Sequence, residues 1–375
     1  MAGPPGHLVH GMGTALEAPT WPAITADQAG AILACFATAG RLTALDWHSP
    51  RPFSAAALLQ TDAGAFVLKR HHQRVRTPAA LAPEHRFMAH LRAAGLAVPE
   101  VVTAGDGRGA IARDGWTYEL HRQAPGLDLY RDRPSWTPFL TPGHARAAGV
   151  ALGRLHLAAR GFADAPRGPH PLVASFTIVP SHDPLAAAQA YVAARPALAA
   201  FLAGQPWRRE LARLFALPGD GLFQSLASQP PLWTHNDWHP SNLLWLPDGT
   251  VSTVFDFGLA TQTCALHDLA TAIERTAIAW LEPGFPADVD TALAIVAGYR
   301  RIAPLSRADV ETVARLLPLV HIEFALSEID YFAGAVGDRE QAARAWQGYL
   351  IDHAEWFASA PGHDFLRRFA AGALA

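Results

Sequence analysis

The chain has 375 residues, half of them apolar and 17% charged, with a formal net charge of −3. That length and apolar content suffice for a large core shared between two lobes or domains, and they exclude a disordered chain. The slightly acidic balance gives no basic face for nucleic acid.

Residues 1–24 are Gly- and Pro-rich without periodicity and read as loose. They carry no basic n-region and no sustained apolar run, so no signal peptide is expected. A short helix over Ala26–Ala39, capped by Thr25 or Asp27, stops at Gly40. Residues 41–70 read as strand, turn, strand, strand: Leu42–Trp47, the turn His48–Pro52, Phe53–Gln60 and Ala65–Arg70. The segment His48-Ser49-Pro50-Arg51-Pro52-Phe53-Ser54 contains no glycine. Phe66-Val67-Leu68-Lys69-Arg70 is an apolar strand ending in a cation. Pro83–Gly95 reads as a helix whose apolar face carries Phe87, Met88 and Leu91, and Glu84 shares that face. A carboxylate turned toward a core needs a partner, and Lys69 at the end of the preceding strand is the natural one. Val98–Val102, Ala110–Ala112 and Trp116–His121 continue a small sheet.

From residue 127 the pattern changes. Leu127–Pro142 is rich in Pro and Trp and reads as loop. Helices are expected over His144–Gly161, Asp183–Ala203 and Trp207–Ala216, with His156 a satisfied core histidine. Further helices are expected over Leu269–Leu281, Asp288–Ile302, Asp309–Tyr331 and Asp338–Ser359. The eighteen histidines are scattered without metal-ligand spacing, and pairs such as His71-His72 read as solvated surface. Cys35 and Cys264 lie far apart; a disulfide stays open on sequence alone, with reduced thiols the expected state. No window approaches eighteen apolar residues, so no membrane span is expected and a cytoplasmic location is the default.

The chemistry concentrates in His235-Asn236-Asp237-Trp238-His239-Pro240-Ser241-Asn242 and Phe255-Asp256-Phe257-Gly258. Between them, Leu243–Leu246 and Val251–Phe255 read as two short strands joined by a Pro-Asp-Gly turn. A hairpin holds its ends together, so Asp237, Asn242 and Asp256 should converge. Two carboxylates and an amide oxygen are hard donors suited to Mg²⁺ carrying a phosphate ligand. The H-x-D-x-x-x-x-N spacing followed by D-F-G resembles the aminoglycoside phosphotransferase and homoserine/choline kinase-like family, the small-molecule branch of the protein-kinase fold. Asn236 stands where that family usually has Gly. The likeness covers the chain from about residue 40 to 350 and is motif-specific near Lys69, Glu84, 235–242, 256–258 and 266–270.

The resemblance implies an α+β, bilobal protein-kinase-like fold. A β-rich lobe would occupy residues 25–122 and a mostly helical lobe residues 123–375. It implies transfer of the γ-phosphate of ATP, with Mg²⁺, to a hydroxyl of a small molecule. In that scheme Asp237 is catalytic and Asn242 and Asp256 hold the metal. Lys69, fixed by Glu84, bridges the nucleotide phosphates. Ser49 and Ser54, with Arg51, stand in for a Gly-rich loop at the phosphates. The segment Glu119-Leu120-His121 reads adenine through its backbone, and Asp268 is a helix N-cap. Only about a dozen residues separate Asp256 from Asp268, too few for the activation segment of a protein kinase. A protein serine/threonine kinase and a catalytically weak nucleotide-binding pseudokinase remain as alternatives.

For the acceptor, His321, Glu323, Glu328 and Asp330 form a polar cluster in apolar surroundings, and Glu274 and Arg275 lie on the helix after Asp268. They read either as a solvated face with buried polar pairs or as an acidic wall for an amino alcohol, sugar or aminoglycoside-like acceptor. Neither a nucleic-acid nor a membrane partner is expected, and the oligomeric state is not read from the sequence.

Overall fold

A computed structural model describes residues 7–11, 13, 15–219 and 221–374; residues 1–6, 12 and 14 of the segment read as loose lie outside the described residues. The remainder of that segment is ordered into a two-stranded ladder, β1 (Val9–His10) with β2 (Leu16–Glu17). The His10 amide donates to the Pro50 carbonyl at 2.8 Å, which seats this ladder on the Gly-free turn. Helix α1 (Ala26–Leu33) starts on a Thr25/Gln28 capping box. It ends well before Ala39, the chain turning twice before Gly40.

Strands β3 (Leu42–His48), β4 (Ala55–Thr61), β5 (Gly64–His72), β6 (Val101–Val102), β7 (Ala110–Arg113) and β8 (Trp116–Arg122) form one antiparallel sheet. The order is β3-β4-β5-β8-β6, with β7 also on β8. Successive strand residues point to opposite faces. Phe66 and Leu68 of β5, with Tyr118 and Leu120 of β8, are buried in a core shared with α1. The same alternation turns Val67, Lys69, His71, Glu119 and His121 to the other face, where all five line a cavity. Helix α2 (Pro78–Ala93) covers this side. It begins five residues earlier than expected, because Thr77 caps it and Pro78 takes the first turn, where a missing N–H costs nothing.

The second region is helical: α3 (Pro142–Ala158), α4 (Pro184–Ala193), α5 (Pro196–Leu202), α6 (Trp207–Phe215) and α7 (Leu222–Ala227) precede the catalytic-type loop. The single helix expected over Asp183–Ala203 is two, bent by 113° where Pro196 cannot continue α4. Among the described residues no single helix is long and apolar enough to cross a membrane. Strand β9 (Leu232–Thr234) leads into the loop, and β10 (Leu243–Trp245) with β11 (Val251–Val254) form the hairpin. Strand β12 (Thr261–Thr263) returns to β9.

Helices α8 (Ala265–Ala277), α9 (Val289–Arg300), α10 (Arg307–Leu316) and α11 (His321–Asp330) follow. A break at 317–320, containing Pro318, divides the helix expected over Asp309–Tyr331. The last expected helix is interrupted too: α12 (Arg339–Arg344), a π-helical stretch Ala345–Asp352, and α13 (His353–Ala358), before α14 (Ala360–Leu374). Helices α3 and α9 cross closely because each offers a glycine. A Cβ at Gly149 would strike the Ile295 carbonyl, and one at Gly298 the Arg146 carbonyl. Both cysteines are free thiols.

Candidate active site

The hairpin brings its two ends together as its turn demands: the Phe255 amide donates to the Asn242 carbonyl at 3.1 Å. Asp237, Asn242 and Asp256 line one cavity of about 320 Å³, together with Lys69, Ser49, Arg51 and Ser54. The loop geometry is tight. Asn236 and Asp256 both hold left-handed backbone, φ +60° and +61°. That conformation is costly for most side chains and is taken most readily by Gly, then Asn and Asp. Asn at 236 is therefore the nearest substitute for glycine. Its carboxamide is fixed by Thr234, whose hydroxyl donates to Oδ1 at 3.0 Å.

Asp268 holds this loop from below. The amides of His235 and Asn236 donate to its two oxygens at 2.9 and 2.8 Å, and His156 Nε2 reaches it at 3.1 Å. The Tyr299 hydroxyl contacts His156 Nδ1 at 2.8 Å. Asp268 is thus a backbone tether on α8. The cap position is Cys264, which offers no side-chain bond, so the N-cap expectation is corrected. His156 is satisfied in the core, as expected.

Asn242 spends its NH₂ on Asp237, donating to the backbone oxygen at 2.9 Å and to Oδ2 at 3.0 Å. Its Oδ1 therefore faces away from Asp237. Arg275 of α8 donates to Asp237 Oδ1, and His239 Nε2 stands 3.5 Å from the same oxygen. Burial works to raise the Asp237 pKa, but Arg275, His239 and His235 outweigh it and hold the carboxyl well below the ordinary range. The Arg275 guanidinium lies over the rings of Trp136 and Phe324, 5.0 and 4.7 Å from their centroids.

Lys69 Nζ donates to Asp256 Oδ1 at 2.9 Å. Burial opposes its charge, yet Asp256, Glu119 and Glu84 together raise the ammonium above its ordinary pKa. The expected Lys69–Glu84 ion pair is corrected: Glu84 is 1% exposed, and its ion-pair partner is Arg167, Nη1 to Oε2 3.2 Å. Arg167 also donates to the Gly258 carbonyl at 2.9 Å and the Ala80 carbonyl at 3.2 Å. It joins α2 to the segment after Asp256.

Glu119 and His121 lie inside β8, not at its exit. Glu119 has Lys69 opposite on one side and Ala110 on the other, and His121 lies between Val67 and Val101. Sheet pairing takes up that backbone, which corrects the expectation that it reads adenine. The side chains face the cavity instead. Glu119 accepts from His71 at 3.0 Å, His85 at 2.7 Å and His121 at 3.1 Å. Burial would raise its pKa, but the three histidines pull it well below the usual range.

The acidic cluster divides. Glu328 lines the main cavity beside Phe324 and Tyr349; it is 1% exposed and its Oε2 has no hydrogen-bond partner. Burial pushes its carboxyl up to about 8, Arg275 opposing and Asp237 adding. Glu323 is not in the cavity. It accepts from the Thr177 and Ile178 amides at 2.9 and 2.8 Å and clamps that loop. Asp330 turns to Arg195 and Leu198 at α5. Both are corrected to structural roles. Glu274 and His321 sit with His353 behind Arg275 and Trp136, in a small side cavity. Burial lifts Glu274 to about 7 and lowers both histidines to about 3, leaving them uncharged near neutrality. Trp136 and Arg167 are cavity and anchor residues that sequence reasoning missed; Arg275, read with Glu274 as a candidate for the acceptor wall, instead anchors Asp237.

A sheet region and a helical region that bring these side chains about one cavity are the arrangement of a phosphotransferase. Residues 52–305 match the APH family of phosphotransferase enzymes, and the chain belongs to that family. It is a small-molecule kinase with an alcohol group as acceptor. Among its relatives is a homoserine kinase of Acidiphilium cryptum (strain JF-5), 28% identical over 278 residues, covering 72% of this chain and 76% of the relative. The solved structure of a microcompartment-associated aminopropanol kinase shares the fold at TM-score 0.55 and 20% identity, covering 90% of this chain and 99% of the other. An amicoumacin kinase in complex with AMP-PNP, Ca²⁺ and Ami matches at TM-score 0.54 and 14% identity, covering 91% and 92%.

Proposed function

We propose that this protein transfers the γ-phosphate of ATP, as its Mg²⁺ complex, to the hydroxyl of a small amino alcohol, with homoserine the first acceptor to test. The observation that carries this reading is the convergence of Asp237, Asn242, Asp256 and Lys69 on one cavity that the Glu328 carboxyl, its Oε2 without a hydrogen-bond partner, also lines. The donor set fits a hard cation: the outward Asn242 Oδ1 and the Asp256 carboxylate are oxygen ligands of the kind Mg²⁺ takes alongside phosphates. When bound, that cation would neutralise charge on the transferring phosphoryl group.

The residues' own work follows from their placement. Lys69 supports the nucleotide phosphates, while Arg51, Ser49 and Ser54 meet them from the turn that lacks glycine. Asp237 orients the acceptor hydroxyl and takes its proton, and Asn242 keeps Asp237 in position. Glu328, which burial holds protonated near neutrality, receives the acceptor's ammonium, whose positive charge draws the carboxyl pKa down so that it releases its proton to solvent and forms the ion pair. Positioning and fixed charge supply most of the rate gain in such transfers. The amicoumacin kinase of similar fold, solved in complex with AMP-PNP and Ca²⁺, supports a nucleotide and a divalent cation in this fold.

The test is acceptor-dependent ADP release from ATP–Mg²⁺ across homoserine, aminopropanol, choline, sugars and aminoglycosides. Turnover with amine-bearing alcohols over neutral sugars is expected. Turnover only with sugars would overturn the Glu328 assignment, and phosphorylation of proteins alone would overturn the small-acceptor reading.

A further inference from the structure

We propose that Glu274, His321 and His353 form a binding site for a divalent transition-metal ion of borderline softness, Zn²⁺ as its representative. The site is separate from the oxygen donors at Asn242 and Asp256, and it stands whether or not the acceptor assignment is right.

Three helices deliver the ligands: Glu274 from α8, and His321 and His353 as the first residues of α11 and α13. Their ligand atoms all lie within 4.8 Å of one another, and each residue is at least nine-tenths buried. Four of their polar atoms fall outside hydrogen-bond geometry with any partner: His353 Nδ1, Glu274 Oε1 and both ring nitrogens of His321, which has the Leu350 backbone carbonyl as its nearest candidate. Buried polar atoms are nearly always paired, and each left unpaired costs about 1–3 kcal/mol. One such atom from each of the three residues can meet on a single ion, which satisfies them without a hydrogen bond.

The spacing says what that is. His353 Nδ1 and Glu274 Oε1 are 3.1 Å apart yet fail hydrogen-bond geometry. Two lone-pair atoms side by side at that distance match the edge of a tetrahedron whose metal–ligand bonds are about 2.0–2.1 Å. The His353 ring is already fixed, stacked on Trp280 with centroids 3.6 Å apart. Two imidazoles with one carboxylate suit Zn²⁺, Co²⁺ or Ni²⁺ and not Mg²⁺ or Ca²⁺. Three protein ligands leave a coordination position open. The three ligands themselves line the side cavity with Trp136, Phe324 and Tyr349, residues that also line the main cavity.

The other histidine–carboxylate cluster makes the contrast. His85, Glu119 and His121 are also close enough to hold an ion, but Glu119 is already bonded by three histidines at 2.7–3.1 Å. That cluster is complete in itself, whereas the one at Glu274 is not.

The experiment uses the full chain without an affinity tag, stripped by chelator and titrated with Zn²⁺ in excess Mg²⁺ by calorimetry and thermal melting. One equivalent is expected to bind and to raise the Tm. Glu274→Gln and His321→Gln are expected to weaken binding by more than the roughly 10–100-fold that outer partners of a metal cost. Asp256→Asn is expected to leave it unchanged. Should either ligand variant fail to fold, Co²⁺ loaded into the parent chain reads the site directly through the visible absorption of a four- or five-coordinate ion. The proposal falls if the parent takes up no Zn²⁺ beyond Mg²⁺, if the ligand variants bind as tightly as the parent, or if Co²⁺ shows only the weak six-coordinate spectrum.

Discussion

Lys69 Nζ and Asp256 Oδ1 lie 2.9 Å apart, so the ammonium is anchored by the D-F-G aspartate and not by the α2 glutamate. Glu84 serves Arg167 instead, and both side chains of that pair are 1% exposed. Removing one partner of a buried ion pair strands the other charge, at a cost of about 3–5 kcal/mol. Glu84→Gln is therefore expected to lower stability in urea by about that amount, and Glu84→Gln/Arg167→Met to recover part of it. Nucleotide affinity should hold wherever the variant stays folded. A Glu84→Gln chain with parental stability and lost nucleotide binding would restore the Lys69–Glu84 contact.

Lys69 is the only lysine in the sequence. An amine-reactive acyl-phosphate derivative of ATP is expected to label one internal peptide, the one bearing Lys69, and excess ATP–Mg²⁺ should protect it. Labelling that ATP does not suppress would place the nucleotide elsewhere.

Asp237→Asn keeps the shape of the side chain and removes the proton acceptor. Turnover should fall by orders of magnitude, as when a general base worth about 10²–10⁴-fold is lost. Nucleotide affinity measured by calorimetry should change little. Parental kcat in this variant would remove Asp237 from its role.

The Glu328 carboxyl is held up at about 8 by burial, with Arg275 opposing and Asp237 adding, against an ordinary value of 4.5. Between those values the folded chain holds a proton that the unfolded chain has lost. Stability contributed by this group therefore falls as pH rises through that window. Glu328→Gln is expected to raise the Tm relative to the parent at about pH 9 and to converge with it near about pH 5. The gain comes from removing a buried charge at high pH, since the glutamine amide stays neutral at every pH. The same variant should raise KM for amine-bearing acceptors. A variant less stable than its parent at high pH would show that Glu328 is already paired.

Asn236 holds φ +60° with its backbone amide on Asp268. Asn236→Gly should be nearly neutral in stability, while Asn236→Ala should cost about 1–2 kcal/mol, the penalty for a Cβ in the left-handed region without local hydrogen bonds. Chemical denaturation of the three chains checks the order.

The parts of this molecule that could be read from the residues are those governed by short-range periodicity. The β10–β11 turn was enough to bring Asp237, Asn242 and Asp256 together; strand alternation in β5 and β8 also puts Lys69, Glu119 and His121 on one face, but on sequence alone 119–121 reads as a linker whose backbone meets adenine. What escaped were partnerships between distant segments: Arg167 with Glu84, and Arg275 with Asp237. An arginine can reach any carboxylate the fold presents to it, and local pattern carries no information about which. Helix breaks at Pro196 and Pro318 were signalled and passed over. The π-helical stretch before His353 was not signalled, and it lies just ahead of the turn that brings His353 beside Glu274. Glu323 and Asp330 share an acidic appearance with Glu328, but only the packing of α11 decides which of the three meets the cavity.

The bond between Asp268 and the amides of His235 and Asn236 has a consequence for heat and for solvent. Those two N–H groups are locked into the α3–α8–α9 crossing through His156 and Tyr299, so they open only when the helical core opens. Their deuterium uptake should belong to the slowest class in the molecule. Loss of catalytic competence on warming should coincide with global melting, with no earlier inactivation step to separate them.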